Sequence, residues 1–255
     1  RMLSGSEIGE KYRNSKVQDA YVMRSMAHIH GAAKKLISEA YEVIVNEMHS
    51  VSDNPEIFAE GENDGVALMS GNFDGSFVGA HADMISMACA IIGKVVERGT
   101  DRMVNRNLND GLPAFLVSNP GLNSGFMIPQ YTAAGLMNEI KHLAIPATID
   151  SIPTCAGQED PVSMAYYASK KAQACVRKLQ YVTAIEIYTA LQATDFLKPE
   201  TPSPAIAKVR DFLRQTIPFV DNDRFLYPDI EYVFDRVRDC TLTDLVEEEI
   251  GELAF

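Results

Sequence analysis

The sequence predicts an all-α protein built as a bundle of long helices. Three observations carry that prediction. Long stretches repeat apolar residues at spacings of three, four and seven, the period of a helix with one buried face. Segments of loop composition separate those stretches. No alternating strand run of any length occurs, and neither does an internal repeat or a low-complexity tract.

The elements follow in order. Residues 21–48 hold one Gly and no Pro, with Val22, Met26, Ile29, Leu36, Ala40, Val43, Ile44 and Met48 at helical spacing. That is about seven turns. Residues 50–71 read as loop, through S-D-N-P, E-G-E-N-D-G and S-G-N-F. A second helix fits 79–105, rich in Ala and Met, and residues 111–123 form another loop. A third helix fits 128–143, and Pro146 and Pro153 bound a loop at 147–159. A fourth helix fits 161–193 with Pro161 in its first turn, where a missing N–H costs nothing. Its apolar residues nearly encircle it, which calls for helix neighbours on several sides. After Lys198 the register changes. Pro199, Pro202 and Pro204 precede a short helix at 205–216, D-N-D-R follows, and 229–239 fits a last short helix before an acidic end at 244–252. The expected organisation is a central long-helix bundle over 1–198 carrying the loops, with 199–255 as a short-helix segment packed on it.

Composition narrows the function. The 255 residues are 46% hydrophobic and 23% charged, enough for a sizeable core. Lys plus Arg is 23 and Asp plus Glu is 35, a formal charge of −12. So acidic a chain repels phosphate backbones and anionic lipid, so neither nucleic acid nor membrane is an expected partner. The stretch 84–93 is among the longest apolar runs and Lys94 ends it, short of the 18 or so residues of a span. No secretory signal opens the sequence, and its first residue is Arg, which reads as a processed chain or a piece. Cys89, Cys155, Cys175 and Cys240 are too sparse for a disulfide framework and read as reduced, mostly buried thiols of a cytoplasmic protein. His28, His30, His49, His81 and His142 form no ligand pattern, so no metal is expected.

Three segments carry candidate chemistry. In Q-D-A-Y-V-M-R, Gln18, Tyr21 and Arg24 stand three apart and project to one side of a helix start. Arg24 can grip a carboxylate at two points, and Tyr21 beside it can relay a proton. The bland alternative is an ordinary polar helix start. In S-D-N-P and S-G-N-F, loop amides such as Asn54 can bind a ligand, or cap their own turn. In T-C-A-G-Q-E-D-P-V-S-M, Gln158, Glu159 and Asp160 precede a long apolar helix. Acids there complement the helix dipole, whereas a Glu in a dry pocket can act as a base.

Together, in this order, these segments resemble the aromatic amino acid ammonia-lyase family, which includes histidine, phenylalanine and tyrosine ammonia-lyases. K-V-Q-D-A-Y-V-M-R is similar to that family's Q-D-x-Y-x-x-R. S-V-S-D-N-P-E-I-F with S-G-N-F, N-S-G-F-M-I, S-I-P-T-C-A-G-Q-E-D-P-V-S-M and D-R-F-L-Y-P-D-I-E resemble the blocks that follow. The resemblance covers nearly the whole chain but only the family's C-terminal half. It implies that Arg24 holds the substrate carboxylate with help from Asn54. It places Tyr21 near the electrophile, Gln18 in support of that centre by hydrogen bonding, and Phe73 beside it. Gln158 is implied on the substrate, and Glu159 on the amino group or substrate as a base. The family's electrophile is a 4-methylideneimidazol-5-one formed from an internal Ala-Ser-Gly. This sequence has none: its Ser-Gly pairs at Ser4, Ser70 and Ser124 follow Leu, Met and Asn. The group is therefore expected from an N-terminal half not in this chain.

The implied activity is non-oxidative elimination of ammonia from an aromatic or imidazole L-amino acid, leaving an α,β-unsaturated acid. Pro161 stands where histidine lyases carry His after Q-E-D, which weighs against histidine as the substrate. The alternatives are an aminomutase, a lyase without the prosthetic group acting on a better leaving group such as a trimethylammonium, and a non-catalytic helical assembly subunit. The family implies a homotetramer or a larger complex with the N-terminal half.

Overall fold

A computed structural model describes residues 1–60 and 64–254, without the side chain of Glu60. Part of the E-G-E-N-D-G loop, residues 61–63, lies outside the described residues. The long helices are α3 (Met26–His49), α4 (Ser76–Val104), α5 (Met127–Leu143) and α6 (Ala165–Asp195). Shorter ones are α1 (Glu7–Tyr12), α2 (Tyr21–Arg24), α7 (Pro204–Arg214), α8 (Tyr227–Arg238) and α9 (Thr241–Ile250). The all-α expectation holds, with local corrections.

The first predicted helix is two. Ser25, at φ −97° and ψ 4°, separates α2 from α3. The helix expected from Pro161 begins at Ala165, because Met164 takes a left-handed φ of 53° that a helix cannot include. Pro161 therefore lies in the loop and not in a first helical turn. The expectation of no strands fails for one hairpin, β1 (Glu56–Glu60) and β2 (Asp64–Leu68), paired antiparallel with Phe58 opposite Val66. Five residues per strand are too few for alternation to stand out in sequence. The acidic end, read only as charge, forms α9, which packs on α7 and α8 through Leu242 and Val246. Two of the four thiols, Cys155 and Cys240, are exposed rather than buried. By length and composition α4 could cross a membrane: its most apolar 18-residue window has a mean hydropathy of 1.4, with 39% of it buried. Lys94 does not end that run, since Val95 and Val96 continue it beyond a single charge.

The chain forms two compact units. The first comprises residues 1–29, 92–139 and 177–255, the second 30–91 and 140–176. In the second, Ala82 of α4 packs on Ala168 and Ala172 of α6. Small residues let these backbones approach. A Cβ on Gly79 would lie 2.8 Å from the Thr148 methyl and 3.0 Å from Ala165 Cα. Buried Asp83 ties this core to the chain after α5. Its Oδ2 accepts the amides of Ala147 (2.8 Å) and Thr148 (3.0 Å), and its Oδ1 pairs with buried Lys171 at 3.0 Å. Burial pushes the Asp83 carboxyl up, but the Thr148 hydrogen bonds and Lys171 outweigh it and hold it below the ordinary carboxylate range. The sign follows: this pairing favours the folded state above the unfolded carboxylate pKa and is lost as pH falls through the lowered one.

In the first unit the core is Leu116, Val117, Phe126, Ile185, Leu213, Ile217 and Val220. Gln192, fully buried, donates to the carbonyls of Leu116 (3.1 Å) and Val220 (2.9 Å) and accepts the Val220 amide (3.1 Å). Tyr188 packs edge-on against Phe126 and donates to Asp229 Oδ2 at 2.5 Å, which also pairs with Arg224. Tyr188→Phe strands one acceptor while keeping the ring. It is expected to cost about 1–2 kcal/mol in urea unfolding; an unchanged midpoint would remove this hydrogen bond as a contributor.

Candidate active site

Gln18, Tyr21 and Arg24 belong to the first unit, and Asn54, Phe73, Gln158 and Glu159 to the second. Within the first unit, α2 is a single turn that presents Tyr21 and Arg24 at its two ends. The Arg24 Nε donates to the Asp19 carbonyl at 3.0 Å, which anchors the base of the guanidinium. Its two terminal nitrogens have no partner among the described residues, so the fork remains available for a carboxylate. The Arg24 guanidinium lies 6.0 Å from the centroid of the Tyr21 ring. Gln18 is exposed, as is Tyr21 at 72%.

In the second unit, the β-hairpin frames a connected polar loop. The Asn54 side-chain oxygen accepts the Ser70 amide at 3.0 Å. Its NH2 end is thereby left as the donor, the polarity a ligand carboxylate needs. Glu56 accepts from the Ser70 hydroxyl (2.9 Å) and from the Asn72 side-chain Nδ2 (2.5 Å), stapling the two ends of the S-D-N-P to S-G-N-F stretch. Phe73 follows at the outside of this turn, 54% exposed. Asp74 then caps α4 through the Ser76 amide at 2.9 Å.

The loop before α6 holds Gln158 and Glu159. The Thr154 amide donates to the Glu159 carbonyl at 3.0 Å, and the Thr154 hydroxyl to Glu159 Oε2 at 2.8 Å. Between them Cys155, Ala156 and Gly157 all take positive φ, 49°, 56° and 85°. Two of these are not glycine, and such residues cost of order 1–3 kcal/mol each, a form of strain that gathers at functional sites. Glu159 is exposed, so the dry pocket its role as a base needs is not made by the residues around it. The two loops of the second unit meet at their roots, where a Cβ on Gly75 would lie 2.8 Å from Ala165 Cβ and 3.2 Å from Ser163 Oγ.

Reasoning from sequence misses Asp19, which anchors Arg24 by its carbonyl, and Thr154, which holds the Glu159 carboxylate. A backbone carbonyl carries no sequence signal. Thr154 does carry one, a hydroxyl five residues before a Glu across an Ala-Gly turn. Among the described residues no group of three or more His, Cys, Asp or Glu could hold a metal ion.

Residues 1–215 match the family model described as aromatic amino acid lyase. The chain is 42% identical over 253 residues to a histidine ammonia-lyase from Natranaerobius thermophilus, covering 99% of this chain and 49% of that protein. Its structure is similar to that of histidine ammonia-lyase from Trypanosoma cruzi, with a TM-score of 0.86 at 34% identity, covering 93% of this chain and 49% of that one. A tyrosine aminomutase from Streptomyces globisporus is similar at a TM-score of 0.86 and 29% identity, covering 97% of this chain and 50% of that one. The chain thus spans about half the length of the curated relatives it matches.

Proposed function

The chain belongs to the aromatic amino acid lyase family, and from that premise we propose that it is the C-terminal part of an amino acid ammonia-lyase. The reaction is elimination of ammonia from an aromatic or imidazole L-amino acid. The observation that carries this reading is 42% identity to a histidine ammonia-lyase across 99% of the chain.

The chemistry explains the residue set. The β-proton of an amino acid is weakly acidic and its amine leaves poorly. A fixed cation holds the carboxylate in register while a base takes the proton. Arg24, anchored on Asp19, supplies the cation with its outer fork open. Asn54 presents an NH2 donor from a loop tied down by Ser70. Glu159, aimed by Thr154, is the proton acceptor, Tyr21 handles a second proton, and Gln158 contacts the substrate. The prosthetic group of this reading is a 4-methylideneimidazol-5-one. Gln18, Tyr21 and Phe73 fit such a group, offering an amide, a phenol and a ring face, all exposed. The chemistry it supplies when bound is an electrophilic carbon that captures the amine or the ring and lets ammonia depart.

This reading requires the half that the chain does not span, and includes a cytoplasmic homotetramer. The exposure of Tyr131 (71%), Ile149 (79%) and Tyr166 (78%) on helices and loops supports further partners. In it residues 199–255 brace the bundle, a reading supported by the Arg214–Asp195 ion pair at 2.7 Å and the Thr201–Glu7 hydrogen bonds. Purified residues 1–255 are expected to release no ammonia from His, Tyr or Phe and to raise no ultraviolet absorbance. Turnover by the isolated chain would overturn the placement of the electrophile. An aminomutase is the second reading, since the TM-score of 0.86 to a tyrosine aminomutase equals that to the histidine ammonia-lyase. Product analysis of the complete enzyme separates them, since only a mutase yields the β-amino acid.

A further inference from the structure

A cavity of about 780 Å³ lies wholly within the first unit, in the size range of small-molecule sites. Ala20, Met23, Met103, Leu112, Ile187 and Ala190 give it largely apolar walls. Apart from Asp19, whose carbonyl anchors Arg24, none of the residues in the reaction above lines it. One wall position is the carboxyl of Glu186 on α6, which shares the lining with Asp19 and Asp110. Opposite it α4 places Gly99, and a Cβ built there would lie 1.8 Å from Glu186 Oε1. The carboxyl therefore fills space that any other residue at position 99 would claim.

Glu186 has no hydrogen-bond or ion-pair partner among the described residues. The titratable and charged groups that line the cavity with it are Tyr12 of α1, Lys16 and Asp19 of the segment after α1, Arg102 of α4, and Asp110 of the loop after α4. Lys16 is engaged by Asp110 at 2.5 Å, and neither Lys16 nor Arg102 pairs with Glu186. Burial alone, with no compensating donor, pushes the Glu186 carboxyl up to about 8. A carboxylate left without donors in an apolar wall is costly, and the group that relieves that cost is a cation bringing its own N–H donors.

We propose that this cavity binds a small organic cation, a primary ammonium or guanidinium on a short apolar body, with its charge seated on the Glu186 carboxylate. The apolar walls take the body and Glu186 takes the head. Below the carboxyl's raised pKa the site holds a proton, which leaves for solvent as the cation enters. Affinity therefore rises with pH and levels off above about 8. Between pH 6 and pH 9 the gain is about a hundredfold.

The test uses this chain with n-butylammonium and n-butylguanidinium, which stay charged across that range, and n-butanol as the neutral control. Calorimetry is expected to show both cations binding at pH 9, about a hundredfold more weakly at pH 6 with proton release, and no binding of n-butanol. Glu186→Gln, with helix content checked by circular dichroism, is expected to lose at least about tenfold in affinity and all of the pH dependence. A measurement without any variant accompanies it: in carbon-13 labelled protein, the Glu186 carboxyl midpoint is expected to fall when the cation saturates. Absence of binding, equal binding of n-butanol, an unmoved Glu186 midpoint, or wild-type affinity in Glu186→Gln would overturn the proposal. The assay needs no ammonia-lyase activity, so its failure and that of the lyase reading are separable.

Discussion

Replacing Glu159 by Gln in the complete enzyme is expected to lower kcat by about two to four decades with little change in fold, because it removes the proton acceptor and keeps its shape. The structure sharpens this expectation. The Thr154 hydroxyl donates to Glu159 Oε2, and a Gln oxygen accepts the same bond. The loop is also tied by the backbone pairing of Thr154 with Glu159, which the substitution does not touch. Its stability cost should stay well under about 1 kcal/mol. A residue that only caps the following helix would be nearly silent in rate. Here that alternative is weak on geometry as well, since α6 begins six residues later, at Ala165. The decisive measurement is kcat of Glu159→Gln beside its unfolding midpoint; near wild-type turnover would remove Glu159 from the mechanism and leave Arg24 and Tyr21.

Arg24→Lys keeps the charge and loses the fork. Losing a charge-assisted hydrogen bond costs about 1.5–3 kcal/mol, which is about one to two decades in kcat/KM. Arg24 uses its Nε on the Asp19 carbonyl, and the proposed reading assigns its terminal nitrogens to the substrate carboxylate. A lysine has one nitrogen for both tasks, so it either releases its anchor or points away from the carboxylate. Because the carboxylate's position sets the distance from β-proton to base, kcat should drop along with binding. Steady-state kinetics of Arg24→Lys distinguish this from a purely electrostatic role: an unchanged kcat with a raised KM would mean that charge alone matters.

Periodicity places α4 and α5 within a few residues, because a helix buried along one face must repeat its apolar residues at that face's period. Local backbone geometry is not legible in the same way. Nothing in A-Y-V-M-R-S-M announces that Ser25 interrupts the helix, and nothing in V-S-M announces the left-handed Met164 that delays α6 to Ala165. Single residues adopt such conformations when their surroundings outweigh intrinsic preference, and those surroundings are distant in sequence. The hairpin at 56–68 leaves little trace for a related reason, since its register rests on pairing and polar staples around Glu56 rather than on a buried stripe.

The same division runs through the chemistry. Resemblance to the family's motifs, taken in their order, is what proposes Gln18, Tyr21, Arg24, Asn54, Phe73, Gln158 and Glu159, since a motif states functional groups directly. How the groups are aimed depends on folding. Arg24 is oriented by a backbone carbonyl, Asn54 by the Ser70 amide across a hairpin, and Glu159 by Thr154 over a strained turn. Glu186 marks the far end of that scale. In sequence it is one charge within the apolar run V-T-A-I-E-I-Y, and periodicity assigns it no role. Only folding sets it against Gly99, 87 positions earlier in the chain, in a wall where no described residue pairs with it. Local composition suffices for the helices and for the inventory of reactive groups, because both are written in neighbouring residues. Orientation, burial and the missing partner of Glu186 arise in three dimensions, because they depend on which distant backbone atoms come within hydrogen-bonding reach.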